Sequence, residues 1–340
     1  MRCIYDMTLI ELEEYFLSTD EKKYKAKQLY EWLYIKRVYS FKEMTNIKKD
    51  ILAKLELEFS IKKMEIIKVE KSLDVSKYLF KLDDKEYIES VLMQHDYGIS
   101  LCISSQVGCN MGCGFCESGR RKKVRDLDAS EMVRQILAIE EDIKTRISHI
   151  VVMGIGEPFD NYDNFTKFVE IINNPFGINI GSRHITVSTA GVVPKIKEFS
   201  LFPYQVNLAI SLHSANNIVR DELMPINKAY PLKELINSIK EYIKITNRRV
   251  TLEYVMLEDI NDSERDAVEL CNLLRGINCY INLIPYNETN NIVYKRSKFD
   301  KILAFYDIIK KNKLNVTIRR EFGGDISAAC GQLRSKKEEL

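Results

Sequence analysis

Cys109, Cys113 and Cys116 stand in one short stretch, with three and then two residues between them. Three thiolates so spaced can ligate three irons of a cubane iron–sulfur cluster, leaving the fourth iron open to a small molecule. Zinc is the competing reading. It takes four ligands, commonly at paired CxxC or HxxxH spacing, and no His or Cys lies close downstream of Cys116. The spacing favours the cluster over zinc.

Other residues suited to chemistry fall at the ends of apolar runs. MGIGEP (153–158) supplies glycines that let a ligand approach the backbone. Its Glu157 can accept hydrogen bonds from an ammonium or a ribose hydroxyl; alone, the motif reads equally as an ordinary strand-to-helix turn. Ser188 ends HITVS, Ser211 and His213 end VNLAISLH, and Asn287 follows YINLIPY. Singly, each is a structural residue; several converging on one rim make a ligand site. Cys330, in DISAACGQL, and Cys102 read locally as small buried residues, the common fate of a free thiol. Cys3, Cys271 and Cys279 read as structural. The run RRKK (120–123), followed by Arg125, is either a solvated surface or a set of phosphate contacts.

These residues need a scaffold that gathers strand ends. Residues 1–60 read as helical, with Leu29, Trp32, Leu33 and Lys36 at three- and four-residue spacing. From Ile61 the pattern shifts to short runs, and KYLFKL (77–82) and YIESVLM (87–93) predict strands. From Gly98 six β-branched, apolar runs alternate with helical stretches: 99–105, 149–153, 184–188, 206–212, 250–257 and 280–285. NVTIRREF (315–322) is a candidate extra strand, and Ser130 a candidate helix cap. Alternation of this kind implies a parallel sheet, either a partial barrel or doubly wound, with chemistry at the carboxyl ends of the strands. The expected division is a helical accessory domain over 1–60, a short β connecting segment over 61–97 and a core over 98–340.

The chain has 340 residues, 45% of them hydrophobic, enough for a large core. Its 51 basic and 49 acidic residues leave a net charge of +2, so a nucleic-acid surface must be local rather than global. No apolar run reaches bilayer length. The first residues, MRCIYDMTLIELEEYF, lack the basic start and apolar stretch of a signal peptide. The expectation is a cytoplasmic protein with no membrane association, whose eight cysteines stay reduced.

SSQVGCNMGCGFC, MGIGEP, SLHS, LMPIN, EYVML, INLIPYN and DISAACGQL, in this order, closely resemble the radical-SAM RNA methyltransferases of the RlmN/Cfr family. The resemblance runs from about Tyr24 to Leu333, and KAKQLYEWLYIKRVYSFKEMTN resembles the family's helical N-terminal domain. It implies a partial (β/α)6 barrel holding a 4Fe–4S cluster and S-adenosylmethionine. On it, Cys109, Cys113 and Cys116 match the cluster ligands. Gly156, Glu157, Ser188, Ser211, Leu212, His213 and Asn287 match the S-adenosylmethionine-binding positions. Cys330 matches the cysteine that becomes S-methylated, Cys102 its disulfide partner, and Glu89 the family's proposed proton acceptor.

Adenine carbons 2 and 8 are too weakly nucleophilic to attack a methyl sulfonium. The family scheme therefore uses two S-adenosylmethionine molecules per turnover. One methylates the counterpart of Cys330; the other is cleaved by the reduced cluster, and the radical formed takes hydrogen from the S-methyl group. The carbon radical adds to adenine, a base removes the ring proton, and the partner cysteine releases the product by forming a disulfide. The implied substrate is an adenosine of 23S rRNA in the peptidyl-transferase centre, with tRNA as a second one. An electron donor such as flavodoxin or ferredoxin, and a monomeric state, are also implied. EYVML, INLIPYN and TIRREFG resemble the carbon 2 branch, whereas Ser214 in SLHS resembles the carbon 8, ribosomal-resistance branch. Two departures stand out: Glu117 where a small residue is expected after the third cysteine, and Arg37 where glycine is expected. A radical-SAM enzyme acting on a peptide needs no Cys102–Cys330 pair, and a non-enzymatic iron–sulfur RNA binder needs no S-adenosylmethionine rim.

Overall fold

The computed structural model describes residues 1–289, 291–319, 326, 328 and 331–333. The N-terminal part is helical, with α1 (Leu9–Ser18), α2 (Tyr24–Tyr30) and α3 (Lys49–Glu58). Two short strands, β1 (Arg2–Cys3) and β2 (Phe59–Ser60), pair in parallel and close this part on itself. Leu29 and Leu33 are fully buried, as the spacing predicts. α2 continues through a wider π-helical turn, Glu31–Lys36, and stops at Arg37, whose φ of 56° is left-handed. A non-glycine residue there costs roughly 1–2 kcal/mol. Its guanidinium pairs with the buried Glu140 carboxylate, which offsets that cost.

Residues 65–95 form three antiparallel strands, β3 (Glu65–Lys71), β4 (Val75–Lys81) and β5 (Tyr87–His95), that lead into β6 (Gly98–Ile103). A small antiparallel pair follows, β7 (Gln106–Val107) with β8 (Arg125–Asp126). The chain then alternates: α4 (Ala129–Ile143), β9 (His149–Val152), α5 (Tyr162–Asn173), β10 (Ile185–Thr189), α6 (Val193–Phe199), β11 (Asn207–Ser211), α7 (Asn217–Leu223), α8 (Leu232–Thr246), β12 (Val250–Met256), α9 (Glu264–Leu273), β13 (Cys279–Pro285), α10 (Phe299–Lys311) and β14 (Asn315–Ile318).

One ten-stranded sheet runs β14-β13-β12-β11-β10-β9-β6-β5-β4-β3. From β6 to β14 every pairing is parallel, and spatial order follows chain order without reversal. Right-handed crossovers then put the helices on one face, as in a barrel. This excludes the doubly wound alternative, which requires a reversal of order. The sheet ends at β3 and β14, so the barrel is partial, with six core strands and β14 as a seventh. The candidate strand 315–322 is strand over Asn315–Ile318.

The start of α4 departs from expectation. Its cap is Asp128, whose N–H donates to the Glu131 carboxylate (3.0 Å). Ser130 lies inside the helix, and its N–H donates to Asp6 (2.7 Å), tying the helical domain to the barrel. Both Asp and Ser cap well, so sequence alone does not separate them. Among the described residues no helix is long and apolar enough to cross a membrane.

Candidate active site

Where β6 ends, Gln135 of α4 satisfies both backbone groups of Ser104. Its Oε1 accepts from Ser104 N–H (3.0 Å), and its Nε2 donates to Ser104 O (3.0 Å). The loop that follows is closed at its base by the β7–β8 pair. Inside it, Cys109 N–H donates to Arg121 O (2.9 Å) and Gly114 N–H to Leu223 O (2.9 Å). Gly108 has φ +76°, and a Cβ there would lie 2.4 Å from Lys122 O, so only glycine fits. These constraints bring Cys109, Cys113 and Cys116 to one cavity of about 170 Å³ at the carboxyl end of the sheet.

Burial pushes the Cys109 thiol up to about 12, and negative charge on Cys116 adds to the effect. Burial also holds Cys113 well above the ordinary thiol range, reinforced by Cys116 and Cys109. Thiols that repel one another's negative charge are matched by iron, which replaces their protons. Among the described residues no three His, Cys, Asp or Glu side chains close around a single metal ion. The donor set is three thiols around a cavity, which fits a cubane with one iron left for an outside ligand.

Gly156, Glu157, Ser188, Ser211, His213 and Asn287 line the same cavity, contributed by the ends of β9, β10, β11 and β13. Gly156 has φ +112°, and a Cβ there would sit 2.6 Å from the Gln106 side chain. Glu157 accepts from Phe159 N–H (3.0 Å) and Ala190 N–H (2.7 Å). Burial nevertheless raises its carboxyl to about 7. His213, with φ +56°, accepts at Nδ1 from Val255 N–H (3.0 Å). Burial, and then the Arg220 charge, lower it to about 3, so it is neutral. The Phe115 ring, between Cys113 and Cys116, stands edge-on to it at 4.7 Å. Leu212 is placed otherwise: its side chain is fully buried and does not line the cavity, while its N–H donates to Glu253 O (3.0 Å).

Sequence reading missed three residues. Arg220 of α7, 1% exposed, donates to Ala190 O (2.8 Å), Leu212 O (3.0 Å) and Ser211 O (3.1 Å). It thereby gathers the ends of β10 and β11, and burial brings its pKa down to about 10. In sequence it is one charge in a short polar helix, with no signal to mark it. Glu253 lines the cavity, lies at one register level with Ser211, and accepts from Asn282 Nδ2 (2.7 Å). A charged residue inside the apolar run VTLEYVML was a usable signal. Gln106 accepts at Oε1 from Glu157 N–H (2.8 Å) and so orients MGIGEP.

Glu89 and Cys102 do not line this cavity. Glu89 is buried on β5, 3.8 Å from Lys77. Cys102 sits opposite Val91 and Val151 in an apolar cluster that also holds Met93, Ile326, Ala328 and Leu333. Cys330 lies outside the described residues.

The basic run is mostly paired. Arg121 meets Glu86 (2.6 Å), Lys123 meets Asp160 (3.2 Å) and Asp126 (3.3 Å), and Arg125 meets Asp84 (2.6 Å) and Glu131 (2.7 Å). Among the described residues, exposed Arg120 reaches only the Asn291 carbonyl, and exposed Lys122 makes no ion pair. Glu117 is buried beside the cavity, and its Oε1, with the Tyr286 and Thr289 hydroxyls, has no hydrogen-bond partner among the described residues.

The profile of the Radical SAM superfamily matches residues 103–271, and that of the ribosomal RNA large subunit methyltransferase N-terminal domain matches residues 4–61. Proteins named probable dual-specificity RNA methyltransferase RlmN are close relatives. The one from Acholeplasma laidlawii is 51% identical over 98% of this chain and 99% of its own length. Those from Spiroplasma citri and Enterococcus faecalis are 51% and 52% identical, over 99% and 98% of this chain and 99% and 96% of their own. The crystal structure of a radical SAM methyltransferase from Sphaerobacter thermophilus superposes with a TM-score of 0.93 at 39% identity, covering 99% of this chain and 100% of that one. With its three-thiol cavity and near-complete identity span, the chain belongs to the RlmN family of radical SAM methyltransferases, which work with a 4Fe–4S cluster and S-adenosylmethionine.

Proposed function

We propose that the protein methylates carbon 2 of an adenosine in 23S rRNA, in the peptidyl-transferase centre, and a tRNA adenosine as a second substrate. The observation that carries this is about 51% identity, over nearly the full length, to relatives whose name gives dual specificity toward RNA. Cys109, Cys113 and Cys116 hold the cluster. Bound there, it supplies the electron that cleaves S-adenosylmethionine reductively. Gly156, Glu157, Ser188, Ser211, His213 and Asn287 contact the cofactor, with Leu212 holding its neighbours through the backbone. Glu157, a carboxylate held by two backbone N–H groups, keeps lone pairs to accept from an ammonium or a ribose hydroxyl of the cofactor.

Cys330 carries the methyl group, Cys102 resolves the product, and Glu89 takes the ring proton. In support, Cys102 shares its apolar cluster with Ile326 and Ala328, close to Cys330 in sequence. Two cofactor molecules are used per turnover, and a flavodoxin or ferredoxin supplies electrons to a cytoplasmic monomer. Residues 1–60 act as an accessory domain, residues 61–97 as a β segment and residues 98–340 as the catalytic core.

The test is chromatography and mass spectrometry of digested 23S rRNA and tRNA from cells with and without the gene. 2-Methyladenosine that depends on the gene is the expected result. Only 8-methyladenosine, with ribosomal drug resistance, overturns the carbon 2 assignment.

A further inference from the structure

The stretch that follows Cys330 is clasped by two of the loops that build the cavity. Glu117 N–H donates to Gly331 O (2.8 Å). Ser118 Oγ donates to Leu333 O (2.6 Å), and Gln332 Nε2 donates to Glu288 O (3.1 Å). Glu117 and Ser118 directly follow Cys116, and Glu288 directly follows Asn287. Ser118 and Gln332 are both buried, so neither bond is exchanged readily for water. Gly331 backs onto the cluster loop. It has φ +82°, and a Cβ there would lie 3.4 Å from Phe115 O and 3.9 Å from Cys116 Cα. Leu333 completes the attachment by packing in the apolar cluster beside Cys102.

None of these bonds belongs to the sheet, and none holds a cluster ligand in place by its side chain. What they fix is the register of the C-terminal segment against the turn leaving Cys116. Cleaving S-adenosylmethionine requires the cluster and the cavity. Moving a methyl group onward requires, in addition, a thiol segment held to within a fraction of an ångström.

We propose that Ser118 and Gln332 are positioning residues that seat the Cys330 segment, and so set what share of S-adenosylmethionine cleavage ends in methylated RNA. The inference rests on the assignment of Cys330 as methyl carrier. Ser118→Ala leaves the Leu333 carbonyl buried without its donor, and Gln332→Ala frees the opposite side of the clasp. The segment then samples positions out of reach while the three thiols keep their places; of the two side chains, Ser118 lines the cavity and Gln332 does not.

The experiment uses full-length, cluster-loaded protein under anaerobic conditions, with dithionite, S-adenosylmethionine and a 23S rRNA fragment. Iron content, 5′-deoxyadenosine and methylated RNA are measured together. In the double variant Ser118→Ala/Gln332→Ala, methylated RNA per 5′-deoxyadenosine falls by about tenfold or more, the scale expected for a small misplacement of reacting groups. Iron content is unchanged, and Ser118→Thr with Gln332 intact, which keeps the hydroxyl, holds the wild-type ratio. An unchanged ratio, whether both products persist or both fall together, overturns the inference alone. Wild-type protein that cleaves S-adenosylmethionine but methylates no RNA overturns the functional reading and the inference with it.

Discussion

Between Cys109 and Gly119 the ionisable groups are buried or half-buried, with three thiols on one cavity, whereas between Arg120 and Asp126 most cations have carboxylates of their own. Burial first, and then charge on Cys116, raise the proton affinity of both Cys109 and Cys113, and Glu117 leaves one carboxylate oxygen unpartnered among the described residues. A few residues later, Arg121, Lys123 and Arg125 are matched by Glu86, Asp160, Asp84 and Glu131. On the proposed assignment of the three thiols, like charge is tolerated in the first stretch because the cluster resolves it. In the second the fold resolves it, so few charges remain for a partner.

The sharpest way to break this contrast is Cys113→Ala. The remaining two thiols cannot hold the cubane, so the brown colour and S-adenosylmethionine cleavage are both lost completely; anaerobic iron analysis and absorption spectra check this. A variant that keeps either one shows that the buried stretch is not organised around a cluster.

Glu157 gives a smaller effect with a defined sign. Its carboxyl is raised to about 7 in the folded protein, above an ordinary value of 4.5. The unfolded chain therefore releases this proton first. The contribution to stability is full below about 4.5, is lost as pH rises to about 7 and is flat above, amounting to on the order of 3 kcal/mol at 1.36 kcal/mol per unit. Glu157→Gln removes this dependence. Urea unfolding of ligand-free wild type and variant at pH 5, 6, 7 and 8 measures the difference. A difference that does not change with pH refutes the assignment.

The smallest effect sharpens the second half of the comparison. Replacing Arg120 and Lys122 with Gln lowers the salt dependence of RNA binding by a slope of roughly 1.5, since each phosphate contact contributes about 0.7–0.9. Replacing Arg121 and Arg125 with Gln changes the slope far less, because their charge is already spent on carboxylates. Filter binding across a range of salt separates the two pairs, and equal slopes for both remove the distinction.

The cluster loop was legible because its chemistry is local: three cysteines within eight positions need no tertiary information. The β-branched core strands were legible for the same reason, from runs such as HIVVM and VNLAISL. β3 was not, because EIIKVEK mixes charge with apolar residues and is only half buried. Periodicity alone does not decide between barrel and doubly wound sheet, since that depends on spatial order; the resemblance to the RlmN/Cfr family implies the barrel, and the sheet order bears it out. Arg220 acts by donating to carbonyls from two strand ends, a pattern that no spacing records. The basic run stays open in sequence between a solvated surface and phosphate contacts, because its counterions, Asp84 and Glu86, lie about forty residues earlier. The departure at Arg37 does carry a structural meaning: the position requires a left-handed backbone, and arginine meets it at a cost in strain while pairing with Glu140.

A sheet whose spatial order repeats its chain order can be assembled as it is synthesised. β1 and β2 join residue 2 to residue 59, so the helical part can close before any barrel strand leaves the ribosome. The β3–β6 meander then provides an edge, and each later strand meets the edge left by the one before it, with no need to wait for a distant partner. The cost is a single sticky edge that moves along the nascent chain until β14 arrives. At both ends that hazard is blunted, by the four-residue length of β14 and by Glu65, Lys68, Glu70 and Lys71 along β3.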